Sequence, residues 1–465
     1  MADYKLLIDG KLVDGAFDAE VVNPALGAAF ATAPAASAAQ MNAAIAAAKQ
    51  AFPAWAERSA AERQACLAKL AARLEENAEY FSTLLTREQG KPLDQARFEV
   101  AVTIGGIRYC ADFDLAQGLG GHSPGDFEFF RTPLGVVACI TPWNFPMVLA
   151  SNKYAPALLT GNTIVLKPAP TTPLTSLELG RLAQDVFPPG VFNVVADRND
   201  LGALLTSHRD VAKISFTGST STGKRVMQSA AEGVKRVTLE LGGNDPAIVL
   251  DDADVDAAAS NLAFTAFINA GQVCVAPKRI FVAESVYDAF CERFAANAKA
   301  MKLGGGEEEG VAIGPIQNLA QFEKVRGFLE DANRDGVVIA GGHVANRPGY
   351  FIEPTVVRDI DDASRLVEEE QFGPIVPILS FASEDEAIAR ANNSIYGLGA
   401  SVWSRDVARA KAIARRLEAG TVWINQHLAL GPHIPFAGAK QSGLGVECGV
   451  EGVWEFTRIQ VINAA

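Results

Sequence analysis

Short apolar runs bounded by turn residues alternate with longer amphipathic stretches over most of this chain. From residue 134 the runs LGVVACITP, TIVLKP, VFNVVA, KISFTG and RVTLELGG read as strands, with helices over 146–160, 173–187, 200–207 and 221–232 between them. A second series follows. AIVL, KRIFVAESV, GVVIAGG, PTVV, PIVPILSF, SVWS and GTVWIN read as strands, and 254–270, 285–301, 317–334, 383–392 and 406–418 as helices. Fully apolar strands alternating with helices predict parallel sheets covered on both faces. Before residue 114 the pattern differs. Residues 4–30 read as short strands, with Asp9-Gly10 as a hairpin turn. Helices follow over 37–56, 59–88 and 92–113, with Ser37 and Ser59 as N-caps and Gly90 before Pro92 as a stop. The aromatic run in 118–132 and the tail 454–465 read as strands that pair with each other as an arm.

Composition narrows the function classes. A chain of 465 residues with 49% hydrophobic and 20% charged residues is an ordinary globular protein of two or three domains. Its net charge, 41 − 54 = −13, argues against nucleic-acid and anionic membrane partners. The six cysteines form no CxxC pair, and the cysteines and five histidines show no zinc-ligand spacing, so no metal is expected. A reduced, cytoplasmic chain without signal or membrane segment is the simplest expectation.

Two stretches carry candidate chemistry. Phe267–Ile280, FINAGQVCVAPKRI, places Cys274 behind a tight Gly271-Gln272 turn and ahead of Pro277. A thiol fixed on such a turn suits a nucleophile, although buried structural cysteines are common. The second, Gly218–Arg225, follows a strand and opens a helix, where backbone N–H groups hold anions. It fits GxxxxGK, yet Arg225 stands where a nucleotide-triphosphate loop needs a Mg²⁺-binding hydroxyl. No GxGxxG fingerprint is present.

Six motifs in order, TPWNFP (141–146), LKPAP (166–170), FTGSTSTG (216–223), ELGGNDP (240–246), GQVC (271–274) and EEQFGP (369–374), resemble the aldehyde dehydrogenase superfamily over nearly the whole chain. The resemblance implies two Rossmann-like parallel-sheet domains plus a β-arm. Residues 1–114 and 132–240, with 437–453 returning, would bind the cofactor. Residues 241–436 would form the catalytic domain, and 115–131 with 454–465 the oligomerisation arm of a homodimer or homotetramer. It implies Cys274 as nucleophile, Glu240 as general base, Asn144 as oxyanion-binding amide, and Lys153 with Glu447 as a proton relay. Thr141, Trp143, Lys167, Gly218, Ser219, Gly223, Glu370 and Phe372 would hold the cofactor. Phe145, Asn152, Ile268, Val273, Val275, Leu430 and Phe436 would line the aldehyde path, a mostly apolar set suited to an aliphatic or aromatic aldehyde. His427 and His433 lie before Phe436, where a structural role is the simpler reading.

The implied reaction oxidises an aldehyde to its acid with NAD. NADP stays open, because Pro170 stands where many NAD-using members carry a ribose-binding glutamate. Gly218 and Gly223 are expected to let the nucleotide near the backbone, and Gly242-Gly243 to give Glu240 room to move. Glu240 favours hydrolysis over acyl-CoA formation. The rival readings are a CoA-acylating or acyl-reducing enzyme of the same fold, and a non-catalytic nucleotide-binding protein.

Overall fold

The computed structural model describes residues 3–116 and 127–463. Two mixed, mostly parallel sheets carry the fold among these residues. The first has eight strands in the order Lys11–Val13, Leu6–Ile8, Phe192–Val194, Thr163–Lys167, Val136–Ile140, Val211–Thr217, Arg236–Glu240 and Gly443–Leu444. Its five central strands are parallel, and the outer ones join antiparallel. The second has seven strands, Val337–Ala340, Thr355–Arg358, Ile375–Phe381, Pro277–Ala283, Asp245–Val249, Gly399–Trp403 and Thr421–Ile424, with only the first antiparallel. The central strand Val136–Ile140 is buried at every position, which explains its unbroken apolar sequence; Pro277–Ala283 is equally buried but carries Lys278 and Arg279.

The expected caps form. Ser37 and Ser59 each close a capping box, and Gly90 ends its helix in a left-handed conformation with φ 97°. Three boundaries differ from the sequence reading. The helix expected over 59–88 breaks at Asn77, whose amide turns back to the Arg73 carbonyl at 2.8 Å and leaves two helices, Ala60–Glu76 and Ala78–Gln89. The helix expected to reach residue 270 stops at Phe267, because Asn269, Ala270 and Gly271 all take positive φ. The tail begins with a helix, Gly449–Trp454, and its Val453, Trp454 and Phe456 belong to the core of the first sheet.

Beyond that helix, Thr457–Asn463 pairs antiparallel with Phe127–Pro133, from Thr457↔Pro133 to Asn463↔Phe127. This is the arm expected from sequence; the turn cluster at 118–126 lies outside the described residues. The chain crosses between the two sheets at Leu241–Asn244, directly after Glu240. The candidate site lies at that crossing.

Candidate active site

The turn bearing Cys274 is built from backbone strain and buried hydrogen bonds. Asn269 and Ala270, at φ 52° and 55°, are non-glycine residues in the left-handed region, and Gly271 follows at 71°. A Cβ on Gly271 would lie 2.3 Å from the Gly373 carbonyl oxygen, so glycine is obligatory where these two segments touch. Every carbonyl from Gln272 to Val275 is then tied down by a side chain. Gln272 accepts from the Asn144 amide at 3.0 Å. Val273 and Cys274 accept from the Lys278 ammonium at 2.9 and 2.6 Å. Val275 accepts from His427 Nε2 at 2.8 Å. The Ser401 hydroxyl, 2.9 Å from His427 Nδ1, completes that chain. His427 is therefore structural, and burial depresses it to about 3. Cys274 itself is half-buried. Its apolar surroundings push the thiol up to about 12, against the opposing pull of Lys278.

Asn144 is held from behind by two charges on segments whose sequence reads as plain scaffold. Its carbonyl accepts from Lys91 Nζ at 2.9 Å and from the Asn269 amide at 3.0 Å. Lys91 also lies 3.8 Å from the Phe145 ring centroid and is ion-paired with Glu99; both charged side chains are fully buried. The other oxygen of Glu99 accepts from the Met147 N–H at 2.9 Å, at the start of the helix Pro146–Leu159. A signal existed: Glu99 falls on the stripe of Ala96, Val100, Thr103, Ile104 and Ile107 that the helix Leu93–Ala111 buries.

Glu240 ends the strand Arg236–Glu240 with both carboxyl oxygens buried and unpaired. Burial, reinforced by nearby Glu447, raises its pKa well above the usual carboxylate range, and nearby Lys153 opposes the rise. Lys153 is ion-paired with Glu447 and donates to the Thr217 hydroxyl at 2.6 Å. The structure thus brings Glu240, Lys153 and Glu447 into one buried group.

The residues expected to hold the cofactor lie along the carboxyl edge of the first sheet and the facing loop. Thr141 follows the strand Val136–Ile140, and its buried hydroxyl is unpaired. Lys167 ends its strand and is ion-paired with Asp197 at 2.7 Å. Ser219, exposed, caps the helix Thr220–Ala231. Trp143 meets Phe372 edge to face at 5.4 Å. Glu370 accepts from the Gly243 N–H at 3.1 Å and stands 3.6 Å from Lys278. An unpaired hydroxyl, a cation and a capped helix N-terminus along one edge fit a dinucleotide.

The glycines are also required by the chain's own packing. A Cβ on Gly223 would fall 2.4 Å from Leu241, and one on Gly218 would fall 2.5 Å from the Phe216 ring, so both serve packing. Gly242 makes room for Glu370, and Gly243 for the Cys274 carbonyl, where a Cβ would approach to 2.5 and 2.6 Å.

On the aldehyde side, Phe145, Ile268, Val273, Val275 and Phe436 join Cys274 in one apolar cluster with Leu398 and Trp423. Leu430 is outside it, 48% exposed; Leu428 and Ala429 pack there instead. The reason is local: Leu428 takes φ 62°, and Trp423 Nε1 holds the Ala429 carbonyl at 2.9 Å. Asn152 is half-buried on the helix of Lys153, and His433 is exposed. Among the described residues, no His/Cys/Asp/Glu cluster could hold a metal, and no helix is long and apolar enough to cross a membrane.

Comparison with known proteins agrees over nearly the full length. Residues 13–462 match the sequence model of the aldehyde dehydrogenase family. Glutarate-semialdehyde dehydrogenase of Pseudomonas putida is 40% identical over 450 residues, covering 95% of this chain and 93% of that protein. Chloroplastic betaine aldehyde dehydrogenase of Amaranthus hypochondriacus is 38% identical, with 95% and 92% covered. The crystal structure of Staphylococcus aureus betaine aldehyde dehydrogenase in complex with NAD+ superposes with a TM-score of 0.95 at 35% identity, covering 99% of this chain and 94% of that one.

Proposed function

This chain belongs to the aldehyde dehydrogenase family, and on that basis we propose that it oxidises an aldehyde to its carboxylic acid with NAD+ through a thioester on Cys274. The observation that carries the reading is the joining of Cys274, through the Gln272 carbonyl, to the Asn144 amide. One amide hydrogen is committed to that carbonyl, which leaves the other for an oxyanion. With the Cys274 N–H it makes a two-donor hole, and losing one such donor typically costs about 2.7–4 kcal/mol in the barrier. NAD+, when bound, supplies the hydride acceptor.

In the first half, the Cys274 sulfur adds to the carbonyl carbon and the C=O pair becomes the oxyanion. Burial holds the thiol neutral, so its proton must leave, and ionised Glu240 is the base we propose takes it. When the oxyanion collapses, hydride departs with its electron pair and the thioester remains. In the second half, water attacks that carbonyl, Glu240 takes its proton, and the C–S bond breaks to release the acid. Burial raises the Glu240 pKa and so favours its protonated form, and the carboxyl acts as base only once ionised. The Lys153–Glu447 pair is the route by which we propose that proton leaves. Glu240 also favours water over CoA as acceptor.

The Cys274 cluster is apolar, which supports an aliphatic or aromatic aldehyde over a charged one. We assign 1–114, 132–240 and 437–453 to the cofactor domain and 241–436 to the catalytic domain. The Phe127–Pro133/Thr457–Asn463 ribbon exposes Ile459, Val461 and Ile462, which supports a role in self-association. A reducing compartment such as the cytoplasm suits six unpaired cysteines.

The test is Cys274→Ala assayed with an aldehyde panel and NAD+, products being identified with and without CoA. Aldehyde-dependent NADH and free acid from the parent protein, and neither from the variant, support the reading. Turnover by the variant, or acyl-CoA as product, removes it.

A further inference from the structure

The five parallel strands of the first sheet run, in space, Phe192–Val194, Thr163–Lys167, Val136–Ile140, Val211–Thr217, Arg236–Glu240. Chain order reverses between the third and fourth of these. That switch point opens a crevice beyond the carboxyl ends, where such sheets bind nucleotides. In this architecture an acidic side chain near those ends holds the ribose hydroxyls of NAD, and a cation accommodates the 2′-phosphate of NADP. Here Thr163–Lys167, one strand removed from the switch, ends in a cation, Lys167, and the following Pro168-Ala169-Pro170 offers no side-chain acceptor. Taken alone, that edge favours the phosphorylated nucleotide.

The next strand changes this. Three residues past Val194 it delivers Asp197, whose Oδ1 lies 2.7 Å from Lys167 Nζ. Asp197 is fully buried and Lys167 only 5% exposed, so the carboxylate works from behind the lysine and does not itself reach a ligand. Its other oxygen accepts from the Leu201 N–H at 2.9 Å, which fixes the carboxylate in place. The neighbouring cation, Arg198, is directed elsewhere: its guanidinium lies 3.9 Å from the Phe17 ring centroid, and it pairs with Asp200 at 3.5 Å.

We propose that Asp197 sets the nucleotide preference by neutralising Lys167, leaving it a hydrogen-bond donor for ribose hydroxyls but no net charge for a 2′-phosphate. Asp197 is thus a positioning residue, and the inference rests on the nucleotide-dependent reading above. It accounts for NAD+ use in a chain whose Pro170 provides no acidic ribose partner.

The test measures binding, without turnover. Dissociation constants of NAD+ and NADP+ are determined by quenching of tryptophan fluorescence for the parent, Asp197→Asn and Lys167→Met, at low and high salt. The parent is expected to prefer NAD+. Asp197→Asn keeps an acceptor for the Leu201 N–H and removes the charge. The ratio Kd(NADP+)/Kd(NAD+) should fall about tenfold, most strongly at low salt. Lys167→Met leaves the carboxylate uncompensated, and the ratio should rise. A purely structural pair would move neither ratio. A parent that prefers NADP+, or ratios unchanged in folded variants, overturns the inference. Should Asp197→Asn not fold, the parent's own preference decides, since an uncompensated Lys167 would favour NADP+. A parent that binds neither nucleotide removes the enzymatic reading itself, which separates the two failures.

Discussion

Replacing Glu99 by glutamine tests whether the Asn144 amide owes its placement to charges behind it. Glu99 pairs with buried Lys91 and accepts the Met147 N–H at 2.9 Å and the Val148 N–H at 3.4 Å. The Glu99→Gln change would leave the Lys91 ammonium without a counter-charge in a site closed to water. Removing one partner of such a pair typically costs about 3–5 kcal/mol. Unfolding entropy near 2.1 cal/mol/K per residue gives roughly 1 kcal/mol/K for a chain this long, so Tm should fall about 3–5 °C if unfolding is cooperative. Activity separates positioning from stability. Lys91 holds the Asn144 carbonyl, and a 1 Å misplacement of a reacting group can cost about 10²-fold. The double change Lys91→Met/Glu99→Leu removes both charges, so Tm should recover most of its loss while kcat stays low. Scanning calorimetry and initial rates of aldehyde-dependent NADH formation read the two effects. A double variant with parental kcat would refute the argument, since the pair would then be mere packing.

Three further outcomes follow from the buried groups and the arm. Glu240 has a raised pKa, so turnover limited by thioester hydrolysis should climb with pH as the carboxyl ionises. Glu240→Gln should remove that limb but leave a rapid burst of NADH, and an unchanged steady-state rate would deny it the role of base. His427 is depressed to about 3 from an ordinary 6.5, so the unfolded chain binds more protons between these values. Its contribution is present above pH 6.5 and lost as pH falls toward 3. Tm of the parent should therefore decline on acidification through that window more steeply than Tm of His427→Gln, and parallel curves would contradict the assignment. Deleting residues 457–465 strips the partner strand from Phe127–Pro133 and should shift size-exclusion elution to a smaller assembly; an unaltered elution volume would exclude this ribbon from the interface.

The layers and the chemical inventory can be read along the chain. Buried parallel strands need uninterrupted apolar runs, and cap residues act within one turn of their own position, so both are legible locally. The motifs around Cys274, Glu240 and Asn144 are equally legible, because each is a short contiguous string. Contacts between distant segments are not. Lys91 meets Asn144, and Glu99 meets Met147, across about fifty residues of chain, and neither spacing nor composition marks those meetings. Asp197 reads in sequence as an ordinary loop acid; only the sheet order puts it beside Lys167. The glycines are legible as necessary, but not their crowding neighbours, since the atoms that exclude a Cβ belong to Leu241, Phe216, Glu370 and Cys274. Leu430 and Leu428 are interchangeable on paper. The left-handed Leu428 and the hydrogen bond from Trp423 to the Ala429 carbonyl accompany the inward turn of Leu428. Tertiary structure decides such matters because burial and hydrogen bonding depend on what lies nearby in space, and a sequence specifies directly only what lies nearby along the chain.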